Sequence, residues 1–247
     1  MTRSRLSRKG LGLCALVLGL TGLTAGAVQA EKGAKWNVVN TKGELVEVKS
    51  GGLLPTMRLV EVEAGESLLT KIAGVAVQKK CTGYELLGAK LEGEGKIASG
   101  VKVRSTGCLF VVNGKVSAPC EPHSPGLENG ILESTAAQGL LVLHKLASGT
   151  LDSVVRIEPA VGETFMFIET GPECAIGEKV PLIGKLTLKD SQNELTTEKS
   201  THLFEQGPLS EVWLLSKTPE HMVTFDGTAF GELSGEHKGL KVSGTPG

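Results

Sequence analysis

Three of the chain's five cysteines fall between positions 81 and 120, and this run restricts the fold more than any other. It starts at Cys81 and passes through glycine-punctuated residues to Gly107-Cys108. It continues as Leu109-Phe110-Val111-Val112, turns at Asn113-Gly114 and ends on Cys120. Asn-Gly between apolar runs is a strong hairpin signal, because both central residues of a type I′ turn need positive φ. With a fourth cysteine downstream at Cys174, the run reads as the disulfide-tied centre of a β domain.

The rest of the chain repeats the same pattern of short apolar runs between turn residues. Strands are predicted over 36–39, 45–48, 57–62, 67–72, 75–79, 90–97, 101–108, 109–112 and 115–118. The series goes on over 131–133, 139–146, 151–158, 164–169, 182–188, 195–204, 212–215, 222–225 and 230–242. Within 182–188, Leu182, Gly184, Leu186 and Leu188 alternate with Ile183, Lys185 and Thr187, so one face meets a core and the other meets water. The residues Thr135 to Gln138 could form one turn of helix, and no other window has helical spacing worth weighing. The fold expected is all-β: a single antiparallel β-barrel or β-sandwich with two disulfides. Both architectures cover or remove exposed strand edges, and the pattern does not choose between them.

Residues 1–30 read as a signal peptide. Arg3, Arg5, Arg8 and Lys9 precede an apolar run from Leu11 to Leu23, and Val28-Gln29-Ala30 supplies small residues for cleavage before Glu31. That run is shorter than the roughly 20 residues a membrane span needs. The expectation is a secreted, extracellular protein with residues 31–247 as one β domain and no membrane association after cleavage. The leader takes four of the 26 basic residues and none of the 27 acidic ones, leaving a net charge of about −5. A nucleic-acid partner, which needs a basic stripe, is not expected.

Four exported cysteines form disulfides by default, because the destination is oxidising. Three pairings are possible. The pairing favoured here is Cys108–Cys120 across the Asn113-Gly114 turn, with Cys81–Cys174 joining the two halves. One geometric point opposes it: a two-residue turn places Cys108 opposite Pro119 and not Cys120, so a bulge would be needed. The alternative is Cys81–Cys108 with Cys120–Cys174. A zinc site is not expected, since no Cys-x-x-Cys pair occurs.

Catalytic signatures are missing. There is no Gly-x-Ser-x-Gly, no His-Glu-x-x-His and no phosphate-binding glycine loop, and the three aspartates Asp152, Asp190 and Asp226 stand far apart. The histidines His123, His144, His202, His221 and His237 read as surface residues, with His144 placed to point inward. Glu158, Glu163, Glu169, Glu173 and Glu178 read as turn and surface charge. Trp36, Tyr84 and Trp213 are the only Trp and Tyr residues. They are too scattered for a sugar-binding platform and read as core plugs.

A signal peptide, a Trp near the mature start, Gly107-Cys108 ending a strand, a further cysteine a dozen residues on, and Cys174 ahead of Gly184-Lys185-Leu186 together make a pattern. It resembles a group of uncharacterised secreted proteins of high-GC Gram-positive bacteria. That resemblance implies no activity and no site residue. Gly33-Ala34-Lys35-Trp36 is also similar to the lipocalins' Gly-x-Trp, with one residue more in between.

The function expected is an exported, non-catalytic structural or interaction module. It needs no cofactor, and its partner is a protein or a small apolar ligand. Two alternatives stay open: a barrel carrying an apolar small molecule, and a secreted hydrolase using glutamate with His144 or His221.

Overall fold

The computed structural model describes residues 34–40, 42–46, 57–62, 66–145, 151–174, 176–190, 200–204, 210–218, 221–233 and 238–246. The predicted signal peptide lies outside them, as do the ends of several predicted strands. The described strands are β1 (Ala34–Val39), β2 (Leu45–Val46), β3 (Met57–Val62), β4 (Glu66–Ile72), β5 (Val75–Cys81), β6 (Gly83–Leu87) and β7 (Leu91–Glu92). There follow β8 (Lys96–Thr106), β9 (Leu109–Val112), β10 (Lys115–Val116), β11 (Leu132–Glu133), β12 (Ala137–Lys145), β13 (Leu151–Pro159) and β14 (Thr164–Glu169). The last are β15 (Lys179–Asp190), β16 (Ser200–Phe204), β17 (Glu211–Leu214), β18 (Thr224–Asp226), β19 (Thr228–Leu233) and β20 (Lys241–Pro246). Every ladder between them is antiparallel. Among the described residues no helix is long and apolar enough to cross a membrane.

One long hairpin sets the layout. β5 pairs β9 from Val77↔Val112 to Lys80↔Leu109, and β6 pairs β8 from Gly83↔Thr106 to Leu87↔Lys102. The two ladders keep a single register, and that register sets Cys81 opposite Cys108 at the junction. On one side of the junction lies a five-stranded sheet ordered β10-β9-β5-β4-β18. On the other lies a twelve-stranded sheet whose main path runs β11-β8-β12-β13-β15-β16-β19-β3, with β6 and β7 also on β8, and β14 and β17 also on β15. β3 comes close to β6, although no ladder joins them among the described residues. A three-stranded sheet, β2-β1-β20, pairs the two ends of the described chain from Ala34↔Pro246 to Val39↔Lys241.

Local sequence explains the turns. Asn113 and Gly114 both have positive φ, 48° and 80°, so the predicted Asn-Gly hairpin forms, with Lys115 opposite Val112. Ala73-Gly74 makes the equivalent turn between β4 and β5, with φ of 49° and 80°. The predicted strand 90–97 is interrupted, because Glu94 and Gly95 adopt left-handed backbone and a 3-10 turn separates β7 from β8. The residues 135–138 form no helix, and β12 begins at Ala137.

β15 is the shared spine of the large sheet. Its first half lies between β14 and β17, and its second half between β13 and β16. Gly184 sits where the partners change, with φ of 119°. A Cβ there would collide with the carbonyl oxygen of Glu211. Leu182, Leu186 and Leu188 face the core as predicted, but Thr187 is buried as well. With Leu186 and Leu188 buried on the opposite side, this part of β15 is covered on both faces, and the Thr187 backbone N–H donates to Ser210 Oγ at 2.9 Å.

Buried side chains from all three sheets merge into one apolar cluster, including Trp36, Leu68, Phe110, Leu141, Ile157 and Leu188. Leu91, Leu132, Ile157, Ile168 and Leu214 have no exposed surface. Each such burial is worth roughly 1.5–3 kcal/mol of transfer free energy. Lys79 is also fully buried, directly across from Leu68 and Phe110.

Gly184→Ala is expected to lower unfolding free energy by more than about 2 kcal/mol, since it combines left-handed strain with a backbone clash. Chemical denaturation would show this as a drop in midpoint without a change in slope.

Candidate functional site

The four predicted cysteines are all buried and form two bridges, Cys81–Cys108 and Cys120–Cys174. The favoured pairing of Cys108 with Cys120 and Cys81 with Cys174 is thereby corrected, and the alternative pairing stands. The reason is the inserted neighbour: β9 has β10 on one side and β5 on the other. Across the Asn-Gly turn Cys108 meets no cysteine, whereas across the β5 ladder it meets Cys81, with Cα atoms 4.0 Å apart. Cys108 also donates its N–H to the carbonyl of Gly130 at 2.9 Å, which ties the loop after Cys120 to the junction. Gly107 beside it has φ of 60°, and a Cβ there would press on the Thr82 hydroxyl across the ladder.

The second bridge holds a site that sequence reasoning missed. Cys120 ends a 3-10 turn, and three residues later His123 exchanges two backbone hydrogen bonds with Glu169, of 3.0 and 2.7 Å. Glu169 lies five residues before Cys174, so the bridge and the backbone pair fasten the same two segments. Through its side chain, His123 Nε2 lies 3.7 Å from Glu169 Oε2, and Glu169 Oε1 lies 3.0 Å from Lys179 Nζ. His123 Nδ1 is buried and makes no hydrogen bond. Nothing in the spacing of His123 and Glu169 announces this pair, because the Cys120–Cys174 bridge creates the proximity.

Charge is concentrated on the outer face of β8. Arg104 stands opposite Glu85 on β6 and Glu133 on β11. Its Nε donates to Glu133 Oε2 at 2.9 Å, and Lys102 Nζ donates to Glu133 Oε1 at 2.6 Å. Burial of the Glu133 carboxyl works to raise its pKa, but the hydrogen bonds and positive charges of Lys102 and Arg104 outweigh that. The net effect holds it below the ordinary glutamate value.

Histidine and aromatic placements complete the picture. His221 Nδ1 lies 2.8 Å from Ser216 Oγ and 2.9 Å from Thr218 Oγ1, and no glutamate reaches it among the described residues. The side chains of His144 and His202, and all of His237, lie outside the described residues. Trp36 and Tyr84 are core plugs, and Trp36 Nε1 donates to the carbonyl of Lys96 at 3.0 Å. Trp213 is not a core plug. It is partly buried on the outer face of β17, with Lys217 Nζ 5.9 Å from its ring centroid. Among the described residues no three His, Cys, Asp or Glu side chains gather to hold a metal ion.

No protein-family model matches the chain, and neither a curated protein nor a solved structure matches it.

Trypsin cuts between all four cysteines, so a non-reducing digest is expected to link residues 81–90 to 105–115 and residues 116–145 to 157–179. Replacing the first pair by serine should cost about 3.5 kcal/mol and the second about 4 kcal/mol, following their loop lengths in the chain-entropy model. Glu133 contributes stability that is complete above its ordinary value of 4.5 and fades as pH falls through the lower folded value. Thermal melts should therefore show the gap between wild type and Glu133→Gln full at neutral pH and shrinking below pH 4.5.

Proposed function

We propose that the protein is an exported, non-catalytic β module that works outside the cell by presenting a rigid surface to a partner. The observation that carries this reading is the filled interior: one contiguous cluster of apolar side chains runs through all three sheets. We further read the main sheet as an eight-stranded barrel. The path β6-β8-β12-β13-β15-β16-β19-β3 has eight members, and its two end strands lie side by side. Eight strands make a barrel just wide enough for side chains to fill. Trp36, Leu86, Val103, Leu141, Ile157 and Leu188 supply that filling.

Two buried disulfides support export, since such bridges persist in oxidising compartments. A carrier needs apolar volume that these side chains occupy, which weighs against that alternative. A hydrolase using glutamate with histidine needs the two within hydrogen-bond reach in one cleft. The one His–Glu contact of the described residues, His123–Glu169, has its carboxylate engaged by Lys179 and its second ring nitrogen buried.

Native mass spectrometry of the purified oxidised protein should give the mass of the bare polypeptide with two disulfides, and a fluorescent fatty-acid probe should not be taken up. A co-purified apolar ligand at one per chain would replace this reading with that of a carrier.

A further inference from the structure

The sequence holds two Asn-Gly pairs, Asn113-Gly114 and Asn129-Gly130, and the fold treats them differently. Asparagine before glycine is the dipeptide most open to ring closure, because glycine has no Cβ to shield its amide nitrogen. Asn113 and Gly114 form the exposed tip of the β9-β10 hairpin. A Cβ at Gly114 would meet no atom within 4 Å. Neither the Asn113 side chain nor the Gly114 N–H has a hydrogen-bond partner among the described residues. The strand beyond the turn is short: β10 has two residues, both exposed, at the edge of the five-stranded sheet.

Asn129-Gly130 is held at both reacting groups. Asn129 Nδ2 donates to Glu121 Oε2 at 2.7 Å, and the Gly130 N–H donates to the carbonyl of Pro122 at 2.8 Å. The Gly130 carbonyl in turn accepts from the Cys108 N–H at 2.9 Å, which fixes this loop to the first disulfide. A Cβ at Gly130 would touch the Cys108 backbone at 3.5 Å, so the loop has little room to turn. Ring closure at Asn129 has to break a charge-assisted bond and a backbone bond together. At Asn113 it has only to open a two-residue edge ladder, and the bond from the Asn113 N–H to the carbonyl of Ala76, of 2.9 Å, is not involved.

We propose that Asn113-Gly114 is a self-modifying site, at which the folded protein converts asparagine to isoaspartate and thereby releases β10. The Gly114 nitrogen, its proton taken by hydroxide, attacks Asn113 Cγ. The new C–N bond forms as the side-chain amide leaves as ammonia, which takes a proton from water. Water then opens the cyclic imide: addition at the backbone carbonyl leaves an isoaspartyl linkage, and addition at the side-chain carbonyl leaves aspartate. Nothing is oxidised or reduced. Either product adds one negative charge, but only isoaspartate puts an extra methylene into the backbone. A type I′ turn has two residues of fixed geometry, so the lengthened chain cannot hold Lys115 opposite Val112 or Val116 opposite Val111. The edge of β9 is then uncovered, while the Cys120–Cys174 bridge keeps the following loop in place. The proposal is independent of the reading of the protein as a surface-presenting module.

The test is ageing of the purified oxidised protein in mildly alkaline buffer, followed by reduction, trypsin digestion and mass spectrometry. Asn113 falls in the tryptic peptide 105–115 and Asn129 in 116–145, so each site reports separately. Peptide 105–115 is expected to gain the mass of deamidation at least about tenfold faster than 116–145, and to become a substrate for isoaspartyl methyltransferase. In the denatured, reduced chain the two peptides should deamidate at comparable rates. Hydrogen exchange of the Ser117 N–H, which bonds the Phe110 carbonyl at 3.0 Å, should quicken at least about tenfold in the isoaspartyl form. Asn113→Asp carries the charge without the methylene and should exchange as slowly as wild type. Equal or reversed rates in the folded protein overturn the proposal, as does a difference that persists after denaturation. So does an isoaspartyl form whose Ser117 exchanges no faster than that of Asn113→Asp.

Discussion

The opposition of Cys81 to Cys108 is the constraint from which the architecture follows. A single register runs through β5-β6 on one arm and β8-β9 on the other, and the bridge sits where that hairpin passes from one sheet to the next. Antiparallel register has a period of two, so a slip of one residue would turn every side chain of the hairpin to the wrong face. Leu86, Val103, Val77 and Phe110 are buried only because the register holds. A covalent tie at the junction removes the slipped alternatives for both sheets at once.

Among the described residues the buried apolar side chains of the three sheets form one cluster, and most charged contacts lie outside it. Lys79 is the buried exception; the others are the Arg104–Glu133 ladder outside β8, the His123–Glu169 contact beside the second bridge, and the lysine–glutamate pairs near Trp213. Exposed ion pairs contribute little to stability, typically under about 1 kcal/mol each.

Much of the fold was legible in the sequence, and the exceptions share a cause. The runs 57–62, 109–112 and 164–169 form strands with those bounds, because each is set by its own alternation and adjacent turn residues. β6 escaped notice although Gly83 and Gly88 bracket it, since its alternation is only five residues long and its partner lies about twenty residues on. Thr187 is buried and Trp213 only partly buried against expectation, because β15 changes partners at Gly184 and the layers around it are set by distant strands. The disulfide pairing failed for the same reason. Proximity along the chain favoured Cys120, and proximity across a non-adjacent ladder decided for Cys81. The Cys120–Cys174 loop then makes His123 and Glu169 neighbours, which no local spacing could reveal.

The pairing of β1 with β20 is the most remote ladder along the described chain. Ala34 meets Pro246, so the first described strand takes its partner on this ladder from a segment far downstream in the sequence. Entropy disfavours closing so long a loop early, and contacts this remote in sequence belong to slow folding. The terminal ladder is thus a late closure laid over hairpins such as β4-β5 and β12-β13, whose partners are neighbours in sequence.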